Sequence, residues 1–119
     1  MPKRTVLTAS ADTPVSQIIE TFRERGVSQL PIVDAKKNPV SMVHEVDLLR
    51  GLQSGTITGA SPASAAAHPI GGLIYPKARI EELFRIFETD QVGVVVDNNV
   101  IVGIVSKIDV LDFMSNRKH

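Results

Sequence analysis

Hydrophobic residues in the first half of the chain follow two spacings, one typical of helices and one typical of buried strands. Four of them share one helical face at the i, i+3, i+4, i+7 spacing: Val15, Ile18, Ile19 and Phe22. Thr13 is the predicted N-cap of this helix, since a proline follows it. Apolar runs at residues 30–33 and 40–43 have the length of buried strands, and residues 45–53 form a second helical pattern. With an extended stretch at residues 5–8, the predicted order is strand, helix, strand, strand, helix.

The second half of the chain repeats this order. After a short extended stretch, Pro76 is predicted to open a helix with a regular apolar face: Ile80, Leu83, Phe84 and Phe87. Strands are predicted at residues 92–96 and 100–105, and the turn between them, Asp-Asn-Asn, tolerates left-handed backbone. A last helix is predicted over residues 107–116, and three of its side chains are expected to point toward the core: Val110, Leu111 and Met114.

The two halves are copies of one another, since shifting the second back by 62 positions without a gap aligns many identical residues. The aligned pairs are Pro76 with Pro14, Ile80 with Ile18, Phe84 with Phe22, Arg85 with Arg23, Gln91 with Gln29, Val95 with Val33, Val105 with Val43, Asp109 with Asp47 and Leu111 with Leu49. A shared register over two helices and two strands indicates an internal duplication. We therefore expect an α+β (α/β) fold of two repeats packed with pseudo-twofold symmetry, with a shared cleft between equivalent strand ends.

The stretch between the copies is rich in small residues and is punctuated by Gly and Pro, which is typical of a connector. The predicted organisation is a first repeat at residues 1–55, a connector at 56–69 and a second repeat at 70–119. The connector is too apolar for a free tether, so we expect it to lie against the domain surface, with one helical turn across residues 63–67.

The amino-acid composition excludes several classes of function and of site. Thirteen basic and thirteen acidic residues cancel, so no overall charge attracts nucleic acid or an anionic membrane. The absence of cysteine excludes disulfides and thiolate zinc sites, and it fits a reducing compartment. No apolar run has the length of about 20 residues that crosses a bilayer, and the first residues lack a signal-peptide pattern. A cytoplasmic location is expected, and whether Met1 is the native start is left open.

The most specific motif is Gly-Ile-Val-Ser-Lys-Ile-Asp at residues 103–109, an apolar strand that ends in a serine and turns directly into a helix. With the duplicated element order, it resembles a tandem pair of CBS domains, or Bateman module, over essentially the whole chain. Residues 27–34 and 48–55 are further similar to the regulatory tail of cystathionine β-synthase.

This resemblance implies a non-catalytic regulatory module without a required cofactor. Such modules bind an adenosine-containing effector, usually AMP, ADP, ATP or S-adenosylmethionine, between the repeats, and often form homodimers through their helices. For the β-synthase branch the resemblance implies S-adenosylmethionine, sensed for a catalytic domain that this chain does not contain.

By the same resemblance, the ligand site combines residues of both repeats: Thr8, Val27, Ser28, Gln29, Leu30, Ser106, Ile108 and Asp109. An ionised carboxylate at Asp109 can accept both hydroxyls of a ribose, although its position in a first helical turn also favours the helix dipole. Ser106 is a helix cap in either interpretation. Leu30 would be buried as a strand residue with or without a ligand.

A second candidate site is formed by His44, Asp47, Asp90, Gln91 and Val92. The first copy departs from the motif, because Ser41 replaces the glycine and His44 replaces the serine, so its helix is expected to lose a good cap. His44 could fill the pocket or make binding pH-sensitive. We expect one site to function and the other to be blocked or weaker.

Other chemistry has little support in the sequence. The three histidines His44, His68 and His119 have no cysteine and no i, i+4 partner, so a metal site is not predicted. Gly71 and Gly72 lack the Lys-Ser/Thr of a phosphate loop. No reaction is assigned, and the alternative to a ligand sensor is a ligand-free structural or dimerising module.

Overall fold

The computed structural model describes residues 6–88 and 92–116 of the chain, and within these ranges helices and strands mix in an α+β arrangement. The elements are α1 Val15–Arg25, β1 Gln29–Val33, β2 Pro39–His44, α2 Glu45–Ser54, β3 Leu73–Ile74, α3 Ile80–Phe87, β4 Val92–Asp97, β5 Val100–Ser106 and α4 Lys107–Ser115. The chain divides into two compact units. The first unit is Leu7–Ile70, and the second contains the elements from Gly71 onward.

Helix α1 has the predicted apolar face, with Val15, Ile18 and Phe22 buried. Gly26 ends it in the left-handed region at φ 65°, where a residue without a Cβ carries no steric penalty. The predicted N-cap is wrong by one residue. Pro14 occupies that position, because the Thr13 hydroxyl instead accepts the N–H of Ser10 at 3.1 Å in the preceding turn.

Strands β1 and β2 form an antiparallel hairpin, and each strand pairs with one further residue along its outer edge. Ala9 pairs in parallel with β1, donating to the carbonyl of Pro31 at 2.9 Å and accepting from Val33 at 2.8 Å. His68 pairs with Met42 of β2, and each residue donates its N–H to the other at 2.9 Å. The chain before α1 and the end of the connector therefore flank the hairpin.

The connector contributes to the core of the first unit. Nine buried residues form that core: Val15, Ile18, Phe22, Leu30, Ile32, Val43, Leu48, Ile57 and Ala63. Ile57 and Ala63 come from the connector, and residues 63–65 form one turn of 3-10 helix. The expectation that the connector lies against the domain, with a helical turn, is confirmed.

In the second unit, β4 pairs in parallel with β3 and antiparallel with β5. Asn98 and Asn99 connect β4 to β5 at φ 53° and 66°, as expected for a hairpin turn with two left-handed residues.

The helices of the second unit differ from the prediction. Helix α3 begins at Ile80 rather than Pro76, because the preceding residues form a turn in which Ala78 donates to the carbonyl of Tyr75 at 2.8 Å. Helix α3 has no buried residue. In α4 only Val110 is buried, so the expectation that Leu111 and Met114 point inward is wrong. These side chains are 60% and 43% exposed.

None of the helices in the described ranges combines the length and the apolar character needed to cross a membrane.

Candidate functional site

The end of β5 carries a fixed pair of polar side chains. Ser106, the last strand residue, has extended backbone at φ −104° and ψ 170°, and α4 starts at the next residue. Its hydroxyl oxygen accepts the N–H of Asp109 at 3.3 Å, while Asp109 Oδ2 accepts the N–H of Ser106 at 2.8 Å. This reciprocal arrangement is a capping box, and it satisfies backbone N–H groups at the helix start.

The same serine orients the carboxylate further. Its hydroxyl lies 2.9 Å from Asp109 Oδ2 and is placed to donate to it. Across the described ranges, all hydrogen bonds to this carboxylate go to Oδ2, so Oδ1 keeps its lone pairs for another donor. Asp109 is exposed. A carboxylate that is held at one oxygen and open at the other suits recognition of a sugar hydroxyl, since hydrogen bonds to a charged acceptor are strong.

An apolar groove lies beside Asp109 within the second unit. It has a volume of about 340 Å³, and besides Asp109 it is lined by Ala78, Ile80, Leu83, Val105, Val110 and Phe113. Phe113, one turn along α4 from Asp109, is 62% exposed. Ile108, also predicted as a site residue, is 59% exposed. The second unit therefore presents one carboxylate at the edge of an aliphatic and aromatic surface.

The equivalent strand end in the first unit has a different set of partners. Asp47 Oδ2 accepts the N–H of His44 at 2.9 Å, and the His44 side chain faces the N–H of Asp47 in return, so α2 keeps a capping box and the expected loss of its cap is wrong. The same oxygen lies 2.8 Å from Nδ1 of His68, a connector residue 21 positions away. The rings of His44 and His68 stack, with centroids 4.8 Å apart and planes at 19°. Asp47 is thus covered by a segment of its own chain.

Two residues predicted for the ligand site, Ser28 and Gln29, lie at this same strand end of the first unit. Gln29 pairs with His44 across the hairpin, and the carbonyl of Ser28 accepts the N–H of Glu45 at 2.9 Å. The Ser28 hydroxyl donates to Oε1 of Gln29 at 2.8 Å. Val27 is half-buried against the core.

The remaining predicted residues are more dispersed. Leu30 is 2% exposed, so its side chain is committed to the core of the first unit. Thr8 is exposed and precedes the residue that pairs with β1. Val92 pairs with Ser106 in the second unit. Asp90 and Gln91, predicted for the second candidate site, lie outside the described residues.

His68 is the residue that the sequence reasoning missed. It lies in a connector of low complexity, and nothing in its neighbours points to Asp47. The described part of the chain contains no group of three or more His, Cys, Asp or Glu side chains that could hold a metal ion. The 2.8 Å contact between His68 and Asp47 is an intrachain hydrogen bond.

Comparisons with known proteins agree with this architecture. The model of the CBS domain matches residues 1–54 and 73–116. Comparison with curated proteins gives no match.

Solved structures with a similar fold cover almost the whole chain. CBSX2 in complex with AMP is 22% identical, with a TM-score of 0.79, and the match covers 97% of this chain and 91% of that one. The CBS domain pair of protein MJ0100, in complex with 5′-methylthioadenosine and S-adenosyl-L-methionine, is 16% identical, with a TM-score of 0.81 and coverages of 97% and 92%. The CBS-domain containing protein ATU1752 from Agrobacterium tumefaciens is 19% identical, with a TM-score of 0.80 and coverages of 93% and 90%.

Proposed function

Because the chain belongs to the CBS-domain family, we propose that it is a regulatory module that senses an adenosine-containing ligand rather than a catalyst. The observation that carries this proposal is the Asp109 carboxylate, which Ser106 holds through Oδ2 at 2.8 and 2.9 Å, while Oδ1 accepts no hydrogen bond from the described residues. A ribose presents two adjacent hydroxyl donors, and a fixed carboxylate accepts such donors without first losing side-chain freedom.

Ligands of structurally similar proteins support the choice of adenosine. AMP is bound to CBSX2, and 5′-methylthioadenosine and S-adenosyl-L-methionine are bound to the pair of MJ0100. These three ligands differ at the 5′ position and share the nucleoside. A site that recognises the ribose through Asp109 would accept all of them, so selectivity must come from the 5′ substituent.

In this proposal Ser106, Ile108 and Asp109 bind the sugar side of the ligand. Further contacts come from a second group of residues: Thr8, Val27, Ser28, Gln29 and Leu30. Leu30 contributes through its backbone, because its side chain is 2% exposed.

The effector acts on an attached or partner enzyme, such as a cystathionine β-synthase. It can transmit a signal only by binding one arrangement of the protein more tightly than another.

Scanning calorimetry with S-adenosylmethionine, AMP and ATP tests the proposal. At least one of them should raise the unfolding temperature, since a ligand at 100 times its Kd stabilises the folded state by about 2.7 kcal/mol. Asp109→Asn should remove most of this ligand-induced shift, because it removes the charge and one acceptor. The shape of the side chain and an oxygen for Ser106 remain.

Asp112→Asn is the matched control, since it removes the same charge from an exposed position of the same helix. It should leave the ligand-induced shift unchanged. The absence of any shift with all three compounds at millimolar concentration contradicts the sensor. An equal loss in both variants contradicts the specific role of Asp109.

A second candidate function is a ligand-free dimerising module. The observation in its favour is a set of large apolar side chains on α2 and α4 that are 41–67% exposed: Val46, Leu49, Leu52, Ile108, Leu111, Phe113 and Met114. This function predicts a stable dimer that responds to no nucleotide and is unaffected by Asp109→Asn.

A further inference from the structure

The two repeats give their equivalent carboxylates different partners. In the second unit, the side-chain donor to Asp109 Oδ2 is the hydroxyl of Ser106, which belongs to the same strand end. In the first unit, where the serine is replaced by His44, the side-chain partner of Asp47 Oδ2 is Nδ1 of His68. A connector residue thus supplies a side-chain donor to this carboxylate.

The chemistry of His68 and Asp47 determines which side chain donates the hydrogen bond. An ionised carboxylate is only an acceptor, so the 2.8 Å contact requires that Nδ1 of His68 carries the hydrogen. His68 is also fixed by its stack on His44 and by two backbone hydrogen bonds to Met42 at 2.9 Å. The hydrogen bond to Asp47 and the stack on His44 hold the imidazole, and the two bonds to Met42 hold its backbone.

The connector also packs into part of the space beside Asp47. Shifted back by 62 positions, the lining of the groove in the second unit corresponds to Ser16, Ile18, Thr21, Val43, Asp47, Leu48 and Gly51. In the first unit, Ile57 donates to the carbonyl of Gly51 at 3.2 Å, and Ser16 donates to the carbonyl of Gly59 at 2.9 Å. Ile57 is 4% exposed within the core.

One substitution between the repeats makes room for this packing. Gly51 stands where the second repeat has Phe113, and a Cβ at Gly51 would lie 2.6 Å from Cγ1 of Ile57. The aliphatic side chain of Ile57 thus needs the space that any larger residue at position 51 would take. Connector residues thus occupy part of the space that is open beside Asp109, and a cavity of about 250 Å³ remains beside Asp47, lined among others by Gly51, Ile57 and His68.

We propose that the connector is an intramolecular plug of the first-repeat site, in which His68 covers the Asp47 carboxylate and leaves that side chain only 19% exposed. The identification of the closed position as an adenosine site rests on the proposed function. The contact itself does not depend on that function. Wild-type protein then binds ligand at Asp109 alone, and Asp47 becomes available only when His68 leaves.

Amide hydrogen exchange tests the plug without any ligand. His68→Ala removes the ring and the donor, so the amide of Met42 should exchange about fivefold faster, as expected for the loss of a hydrogen bond worth about 1 kcal/mol. His68→Asn should retain slow exchange, because its amide N–H lies close to the position of Nδ1. Ser64→Ala, at an exposed site in the same connector, should change nothing. Unchanged Met42 exchange in His68→Ala overturns the proposal.

Calorimetric titration with AMP and with S-adenosylmethionine tests the consequence for binding. The wild type should bind one molecule per chain, His68→Ala should bind two, and His68→Ala combined with Asp47→Ala should return to one. Two molecules bound by the wild type, or one bound by a His68→Ala variant with fast exchange, overturns the plug. No binding by any variant contradicts the proposed function, while the exchange result still decides whether His68 holds the connector.

Discussion

At the scale of single residues, the candidate site depends on one reciprocal cap. Ser106 and Asp109 share three hydrogen bonds at the start of α4, between 2.8 and 3.3 Å. The same bonds that begin the helix also orient the carboxylate. Stability and ligand geometry therefore have a common origin at this position.

Ser106→Ala should lower the free energy of unfolding by about 1 kcal/mol, because it removes the side-chain acceptor for the N–H of Asp109. Urea unfolding followed by circular dichroism measures the change. Ser16→Ala removes a hydroxyl from an exposed position of α1 and should stay within about 0.5 kcal/mol of the wild type. Equal effects in the two variants would show that the cap contributes nothing specific.

Residue types with a strong local preference were predicted well. Asn98 and Asn99 form the predicted hairpin turn, since asparagine tolerates left-handed backbone better than most residues. The cap of α1 was predicted one residue early. Thr13 satisfies the capping preference in isolation, but in the structure its hydroxyl bonds to the turn formed with Ser10.

At the scale of elements, the two repeats differ most in what covers their helices. Helix α1 buries three residues, and α3 buries none, although both have the apolar spacing of an amphipathic helix. The connector lies against the first unit and brings Ile57 and Ala63 into its core. Periodicity identifies an apolar face, but it does not tell which segment will cover that face.

Ile57→Ala should destabilise the protein by about 2–5 kcal/mol, the usual cost of truncating a buried aliphatic residue. The loss should appear as faster amide exchange throughout the core of the first unit. Val40→Ala is the control, because that aliphatic side chain is 55% exposed and its truncation should cost no more than about 0.5 kcal/mol. A small effect at Ile57 would mean that the connector packs only loosely.

At the scale of the whole molecule, the exposed apolar residues of α2 and α4 are the largest departure from an ordinary surface. Leu49 and Leu111 are equivalent positions of the two repeats, and they are 67% and 60% exposed. Large exposed apolar patches mark interaction sites. We therefore propose that these helices form the interface of a homodimer.

Sedimentation velocity should detect a dimer of the wild-type protein and a monomer of the Leu49→Glu, Leu111→Glu double variant. Charged side chains at the interface would be desolvated without a partner, so association should weaken. The circular dichroism spectrum should not change, because both side chains are exposed. Gln17→Glu adds a charge at an exposed position of α1, outside both helices, and it should leave the dimer intact. A double variant that remains dimeric contradicts this interface.

The sequence by itself determined the duplication, the element order and the motif at the end of β5. These properties depend on residues near one another in the chain: apolar spacing defines helices and strands, and a serine three positions before an aspartate forms a cap. The shift of 62 residues then identified the equivalent positions of the two repeats, such as Asp47 and Asp109.

Only the tertiary structure decided how the two equivalent carboxylates differ. Asp47 meets His68 across 21 positions, and Ile57 fills the space that Gly51 leaves, because the connector folds back onto the first unit. Asp109 is exposed, whereas the Asp47 side chain is only 19% exposed beneath His68. The physical reason is that burial and hydrogen-bond partners arise from packing between distant segments, whereas the sequence pattern records only the local preference of each segment.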